Sequence, residues 1–223
     1  WKACDAQVGD DFHINPEEIE QKYFGVLTKI FNVARFASQF EVPDDLDTLS
    51  EELHPEDKWI LSEFNSMMVN VEKSWENIDI YNAAQSIKNF STGIFPSHWL
   101  EMVKSRLYED DAAAAWTIHR IVRDTLTTFS PICPFFTHHL STTLYGKSST
   151  EIDNFPRLKK KITDDLDMEG WVSLSDSIME FNSNVWRQKK EIGISLNSEI
   201  SNILIPDEIS LLSDSLVRMH KIV

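Results

Sequence analysis

Two tetrapeptides of one design, Asn15-Pro16-Glu17-Glu18 and His54-Pro55-Glu56-Asp57, fix where this chain must begin helices. In each, a polar side chain precedes a proline, and two acids follow. The polar residue can cap the free N–H groups, and proline suits a first helical position, where its missing N–H removes no bond. The acids oppose the positive end of the helix macrodipole. Behind the first start, Ile19, Tyr23, Val26, Leu27, Ile30, Ala34 and Ala37 recur at helical spacing, so a helix is expected to run to about Phe40. Behind the second, Ile60, Phe64, Met67, Val71, Trp75 and Ile78 form an apolar stripe with steps of three and four.

The same reading extends along the chain. A third helix is expected near Asp79, with Ala83, Ala84, Ile87 and Phe90 facing inward. It meets Pro96, which should kink or restart it, and continues with Trp99, Leu100, Val103 and Leu107. Tyr108-Glu109-Asp110-Asp111 reads as a turn and Ala112 to Phe129 as the next helix. Ser130-Pro131-Ile132-Cys133-Pro134 breaks it before a short helix from Phe135 to Tyr145. Long amphipathic helices with short links predict a mainly α fold, an antiparallel helical bundle over residues 16–146. Residues 147–223 predict a small C-terminal α+β appendage. Its parts are an extended piece at 151–155 between Lys147-Ser148-Ser149 and Lys159-Lys160-Lys161, and a helix from Trp171 to Glu191. A strand from Ser201 to Pro206, a helix from Ile209 to Met219 and a strand edge at Lys221-Ile222-Val223 complete it.

Charge narrows the function. The chain has 36 acids and 21 Lys or Arg, a net of −15, which repels nucleic acid as a whole. The distribution is uneven: Glu41 to Glu76 holds 11 acids and two bases, while the remainder, with 25 acids and 19 bases, has a net of −6 and room for basic faces. No apolar run approaches the length of a membrane span. Two cysteines, Cys4 and Cys133, make neither a disulfide framework nor a four-thiolate zinc site, which fits a reducing, cytoplasmic setting. A start at Trp1 with no signal segment reads as an excised piece of a longer protein.

Catalytic patterns are weak. Gly146-Lys147-Ser148 resembles the end of a phosphate-binding loop, but Ser141 stands where that loop needs glycine. His138 and His139 are adjacent, so on a helix their rings diverge by about 100° and make no zinc pair. They read as partly buried structural histidines. Asn89-Phe90-Ser91 is read as a chance glycosylation match, and Asp110-Asp111 and Asp164-Asp165 as helix-start or loop acids. The first helix is more informative. Lys22, Gly25, Lys29, Asn32 and Phe36 share a face clear of the apolar stripe, with Arg35 at its flank. An aromatic among cations suits a stacked single-stranded base, Lys and Arg suit phosphates, and Asn can read a base edge. The alternative is that Phe36 packs under a neighbouring helix or the tail. Trp99, Lys104 and Arg106 make a second candidate face, and Arg187-Gln188-Lys189-Lys190 a third, although bases also belong at a helix C-terminus for dipole reasons. Lys159-Lys160-Lys161 reads as a solvated linker. A reading from another class is a helical protein-interaction module whose acidic segment docks a basic partner.

Several stretches resemble the C-terminal part of class I aminoacyl-tRNA synthetases of the valine, isoleucine and leucine group. Leu27 to Phe36 is similar to the family's L-x-K-L-x-N-x-x-R-F, and Asp57 to Ser62 to D-R-W-I-L-S. Asp79 to Ala84 resembles Y-x-F-x-x-A-A, Trp99 to Tyr108 resembles Y-L-E-x-x-K-x-R-L-Y, and Ser130 to Phe135 resembles A-P-F-M-P-F. Lys189 to Leu196 looks like the K-x-E-x-G-x-S-L stretch of the valine-specific members of archaeal type. The resemblance covers nearly the whole chain. It implies an anticodon-binding helical domain, with residues 1–15 as the end of the stem-contact region and Phe36, Arg35 and Asn32 facing the anticodon loop. The implied partners are the anticodon arm of tRNA and the rest of a synthetase chain, with no DNA, no membrane and a monomeric state. ATP and magnesium belong to the family's catalytic domain, whose HIGH and KMSKS signatures are missing, so no cofactor is expected here. This piece alone should neither activate valine nor edit. The acidic 41–76 segment should point away from the RNA. The pattern departs at Phe95-Pro96-Ser97-His98, where relatives usually have F-C-D-W, and this should move a helix start to Pro96 or Ser97.

Overall fold

A computed structural model of the chain describes residues 15–48, 52–147 and 167–223, with isolated positions 4, 6, 7, 9, 11, 13, 156 and 158. The expected extended piece at 151–155, the 159–161 lysines, Asp164-Asp165 and most of the 1–15 stretch lie outside the described residues.

The first helix starts where its cap requires. Asn15 accepts a hydrogen bond from the Glu17 N–H at 3.0 Å and opens α1 (Pro16–Glu18). The chain then winds as a π-helix over Ile19–Tyr23 and continues as α2 (Phe24–Ala37). Turn bonds from the N–H groups of Gln39 and Phe40 carry it on to Phe40. α3 (Pro55–Glu76) is closed at its start by a capping box between His54 and Asp57. Ile60, Phe64, Met67 and Val71 of its stripe are buried. Ile78, the last of that stripe, is 76% exposed, because the chain has left the helix and turned to φ +57° there.

Asp79 caps α4 (Ile80–Asn89). A π-helical segment, Phe90–Trp99, joins it without a break to α5 (Leu100–Tyr108). The expected helix start at Pro96 or Ser97 is therefore absent: the wider π turn accommodates the proline ring and its missing N–H. That segment also aligns an aromatic series. Phe64 meets Phe90 at 5.5 Å, Phe90 stacks on Phe95 at 5.7 Å, and Phe95 stacks on Trp99 at 5.3 Å.

α6 (Ala112–Phe129) is capped by Asp111, which accepts from the Ala114 N–H at 2.8 Å. α6 is the central helix, buried on most sides and packed by α2, α3, α5 and α7 (Pro134–Tyr145). Gly146 ends α7 at φ +65°, its N–H bonded to the Thr142 carbonyl. Gly146-Lys147 is thus a helix cap. Gly146→Ala should cost about 1 kcal/mol, the ordinary penalty of a side chain in the left-handed region, read as a lower urea midpoint. His138 and His139 are exposed on α7, not partly buried as expected.

The C-terminal part contains α8 (Met168–Ser173), α9 (Ser175–Glu191), a 3-10 helix (Asp207–Leu212) and α10 (Ser213–His220). Its Ile178, Phe181, Val185, Leu212 and Leu216 belong to the same apolar core as Ile30, Phe64 and Leu126 of the bundle. The Trp59 indole N–H reaches the Ser175 hydroxyl at 2.8 Å across this junction. The expected strand at 201–206 does not form. Among the described residues the β pairing is a single parallel bridge between Ile200 and Ile222. Ile203 and Ile205 are half-buried and Leu204 is 91% exposed, so the period of two is real, but the segment packs on side chains rather than a partner strand. Asn202, at φ +62°, interrupts the extended backbone.

Candidate nucleic-acid interface

α2 turns Val26, Ile30, Val33, Ala34 and Ala37 inward, which leaves Thr28, Lys29, Asn32 and Arg35 on the solvent side. Lys22, in the π-helical turn before it, lies 3.9 Å from Glu18 and 5.1 Å from the Tyr23 ring centre. Among the described residues Lys29 reaches the Thr92 carbonyl, at 3.5 Å. Among the described residues no carboxylate pairs with Lys29 or Arg35. Exposed Phe24 and Phe31 extend the same surface.

Phe36 is not the free-standing ring expected from the sequence. It is half-buried, edge-on to Phe40 at 5.1 Å and to Tyr108 at 6.2 Å, and Phe40 meets Tyr108 at 5.7 Å. The accessible member of this trio is Tyr108, 64% exposed at the end of α5. The turn reading of Tyr108 to Asp111 hid it, although Tyr108 follows the buried Leu107 and so lies off the apolar stripe. The acids of the 41–48 connection lie at the C-terminal end of α2 itself. Glu41, Asp44, Asp45 and Asp110 rim a cleft of about 840 Å³ that has Phe40 and Trp116 in its wall. Asp47 is taken up by Arg120 at 3.0 Å and Arg123 at 2.7 Å, and both arginines also hold Asp124. The acidic cleft thus adjoins the aromatic trio through Phe40, while Lys29 and Arg35 stand earlier on the helix.

Three predicted contact residues are buried and serve the fold. Trp99 is fully buried at the end of the aromatic series, and its N–H donates to Asp57 at 3.3 Å. Arg106, 2% exposed, donates to Glu56 at 2.7 Å, to Asp57 at 2.7 Å and twice to Asp111 at 3.0 Å. Burial pushes the Asp57 carboxyl up to about 6, against the pull of the Arg106 guanidinium. Lys189, also fully buried, donates to the carbonyls of Leu196 at 2.8 Å, Ser198 at 2.8 Å and His220 at 2.7 Å. An ammonium has three N–H donors, and all three are spent on main chain. Here burial outweighs the need for charge: each side chain sits on the inward stripe of its helix. Arg106 follows Met102 and Val103, and Lys189 follows Val185 at helical spacing, so the periodicity itself carried the signal.

The other candidates remain at the surface. Lys104 pairs with Glu101 one turn away. Arg187 bonds Asn184 at 2.7 Å and lies 4.0 Å from Glu191, and Lys190 is exposed beside it. Among the described residues no group of three His, Cys, Asp or Glu could hold a metal ion, and no helix is long and apolar enough to cross a membrane.

The family profile described as the anticodon-binding domain of tRNA ligase matches residues 57–204. The chain is similar to the valine–tRNA ligase of Saccharolobus solfataricus, 32% identical over 199 residues, which covers 88% of this chain and 23% of that protein. It is 30% identical over 234 residues to the valine–tRNA ligase of Pyrobaculum aerophilum, covering 100% of this chain and 28% of the relative. With that of Nanoarchaeum equitans it shares 26% over 227 residues, again 100% and 28%. The chain thus spans 23–28% of the length of these curated relatives.

Proposed function

We propose that this chain, which belongs to the anticodon-binding domain family of tRNA ligases, holds the anticodon arm of a tRNA against α2 and the end of α5 within a valine–tRNA ligase. The observation that carries this reading is Lys29 and Arg35, free of carboxylates among the described residues, on the helix that also carries Phe36 beside the exposed Tyr108. Cations neutralise phosphates there, Asn32 offers a base-edge contact, and the Tyr108 ring with the edge of Phe36 offers a base a stacking surface. Lys22, Lys104, Arg187 and Lys190 add accessible positive charge around the bundle. On this reading the whole enzyme joins valine to its tRNA with ATP and magnesium, both handled by residues outside this chain. It acts as a cytoplasmic monomer.

Filter binding of a valine tRNA and of an unrelated transcript tests the proposal. Lys29→Ala with Arg35→Ala should weaken binding about tenfold at low salt and make the salt dependence shallower by about two counterions. Tyr108→Ala should cost about 1–3 kcal/mol of binding while leaving that slope unchanged. Equal binding of the two RNAs by the wild type, or wild-type binding by both variants, would remove α2 as the interface.

A further inference from the structure

A line of polar side chains crosses the junction between the bundle and the C-terminal helices. His98 comes from the π-helical segment, Asn182 from α9 and His220 from the end of α10. The His220 Nε2 lies 2.7 Å from Asn182 Oδ1, and Asn182 Nδ2 lies 3.1 Å from His98 Nδ1. Trp186 covers the pair, its ring 5.5 Å from that of His98 and 5.8 Å from that of His220. Asn182 and His220 are buried, whereas His98 is partly open to solvent.

The chemistry of the amide limits what this line can hold. An amide oxygen only accepts and an amide nitrogen only donates. His220 must therefore present Nε2–H, and His98 must present a bare Nδ1, so His98 is neutral in this arrangement while His220 can hold one proton or two. An imidazolium has no lone pair and can sit only at the oxygen end. One added proton can be absorbed. At His220 Nδ1 it leaves the amide unmoved; at His98 Nδ1 the amide turns over so that Oδ1 faces His98 and Nδ2 donates to a His220 whose own proton has moved to Nδ1. A second proton leaves one imidazolium facing the amide N–H.

We propose that His98, Asn182 and His220 form a one-proton relay that fastens α9 and α10 to the bundle and releases them when both histidines are protonated. The charged surroundings favour His98 as the first site. Lys189 donates to the His220 carbonyl, and Lys221 follows it in the chain. On α5, which packs on α10, Lys104 and Glu101 pair with each other and Arg106 is held by Glu56, Asp57 and Asp111. In the 3-10 helix against α9, Asp207 and Glu208 are exposed. Burial holds His98 below its ordinary value, and burial with Lys189 and His98 pushes His220 down to about 4. In the unfolded chain both rings take protons near 6.5. The unfolded state then binds more protons below that pH, so stability is full above about pH 6.5 and falls as pH drops toward about 4. His98 stands where the resembling family usually carries Trp, so the relay is a property of this chain and does not depend on the tRNA reading.

The test is an NMR titration of the histidines together with amide exchange in α10, on the wild type, Asn182→Asp and His98→Gln. In the wild type, His98 should titrate first and His220 last, with α10 exchange accelerating at the second step. Asn182→Asp offers oxygen to both rings, so both midpoints should rise by about 1–3 units and the acid loss of protection should disappear. His98→Gln keeps the bond without a proton site, and the His220 midpoint should rise by about one unit as it gains sole claim on the oxygen and loses a like-charged neighbour. The proposal is overturned if both wild-type histidines titrate together near their ordinary value with α10 still protected. It is equally overturned if either variant leaves the midpoints unmoved.

Discussion

Arg106→Ala should unfold about 3–5 kcal/mol more easily than the wild type at neutral pH, the cost of leaving buried charge without its partner. Glu56 and Asp57 are 2% and 0% exposed, and they reach Arg106 from the first turn of α3. Removing the guanidinium leaves two adjacent carboxylates in one dry site, while Asp111 also loses its two bonds from α5. The Trp99 N–H alone cannot compensate. Burial already pushes Asp57 up to about 6, and without Arg106 it must rise further. Protonation then relieves the repulsion in the variant before the wild-type carboxyl takes a proton, so the deficit should shrink as pH falls toward about 6 and stay level below it. Urea midpoints at about pH 7.5 and pH 5 give both numbers. Adding Glu56→Gln and Asp57→Asn to the variant should recover most of the loss, because the uncompensated charge is then gone. A variant as stable as the wild type that simply loses tRNA would return Arg106 to the surface role its sequence context suggested.

Lys189→Met should cost about 3 kcal/mol, a charged hydrogen bond lost and three carbonyls, that of His220 buried, left without their donor. The methionine fills most of the volume of the lysine stem, so the deficit reports on bonding more than on a cavity. The ammonium ties the 194–198 turn and the last residue of α10 to the end of α9. Gly193, at φ +75°, lets the chain reverse so that those carbonyls converge. Loss of the tie should appear as a Tm lower by about 6–12 °C and as faster amide exchange in α10. The exposed neighbours Arg187→Ala and Lys190→Ala should leave Tm within about 1 °C of the wild type. A Lys189→Met chain that melts normally but shows a shallower salt dependence of RNA binding would overturn this assignment.

Sequence alone determined where most of the helices start and which family the chain resembles, while the expected start at Pro96 or Ser97 is absent and the expected Trp171 to Glu191 helix is two helices, Met168–Ser173 and Ser175–Glu191. Caps, prolines and a 3.6-residue period act between neighbours in the chain, so Asn15, His54, Asp79 and Asp111 mark helix starts without knowledge of the rest. The period also marks inward positions, and Arg106 and Lys189 lie on them; their chemical type, not their spacing, suggested a surface role. Only the tertiary structure decided what those charges meet. Glu56, Asp57 and Asp111 come to Arg106 from two other parts of the chain, and three carbonyls reach Lys189 from beyond a turn. It also decided that Tyr108 and not Phe36 offers the open ring, that Ile203 and Ile205 pack without a strand partner, and that Asn182 bridges two histidines. These are contacts between segments distant in sequence. Their free energy depends on which surfaces exclude water together, and no local repeat encodes that.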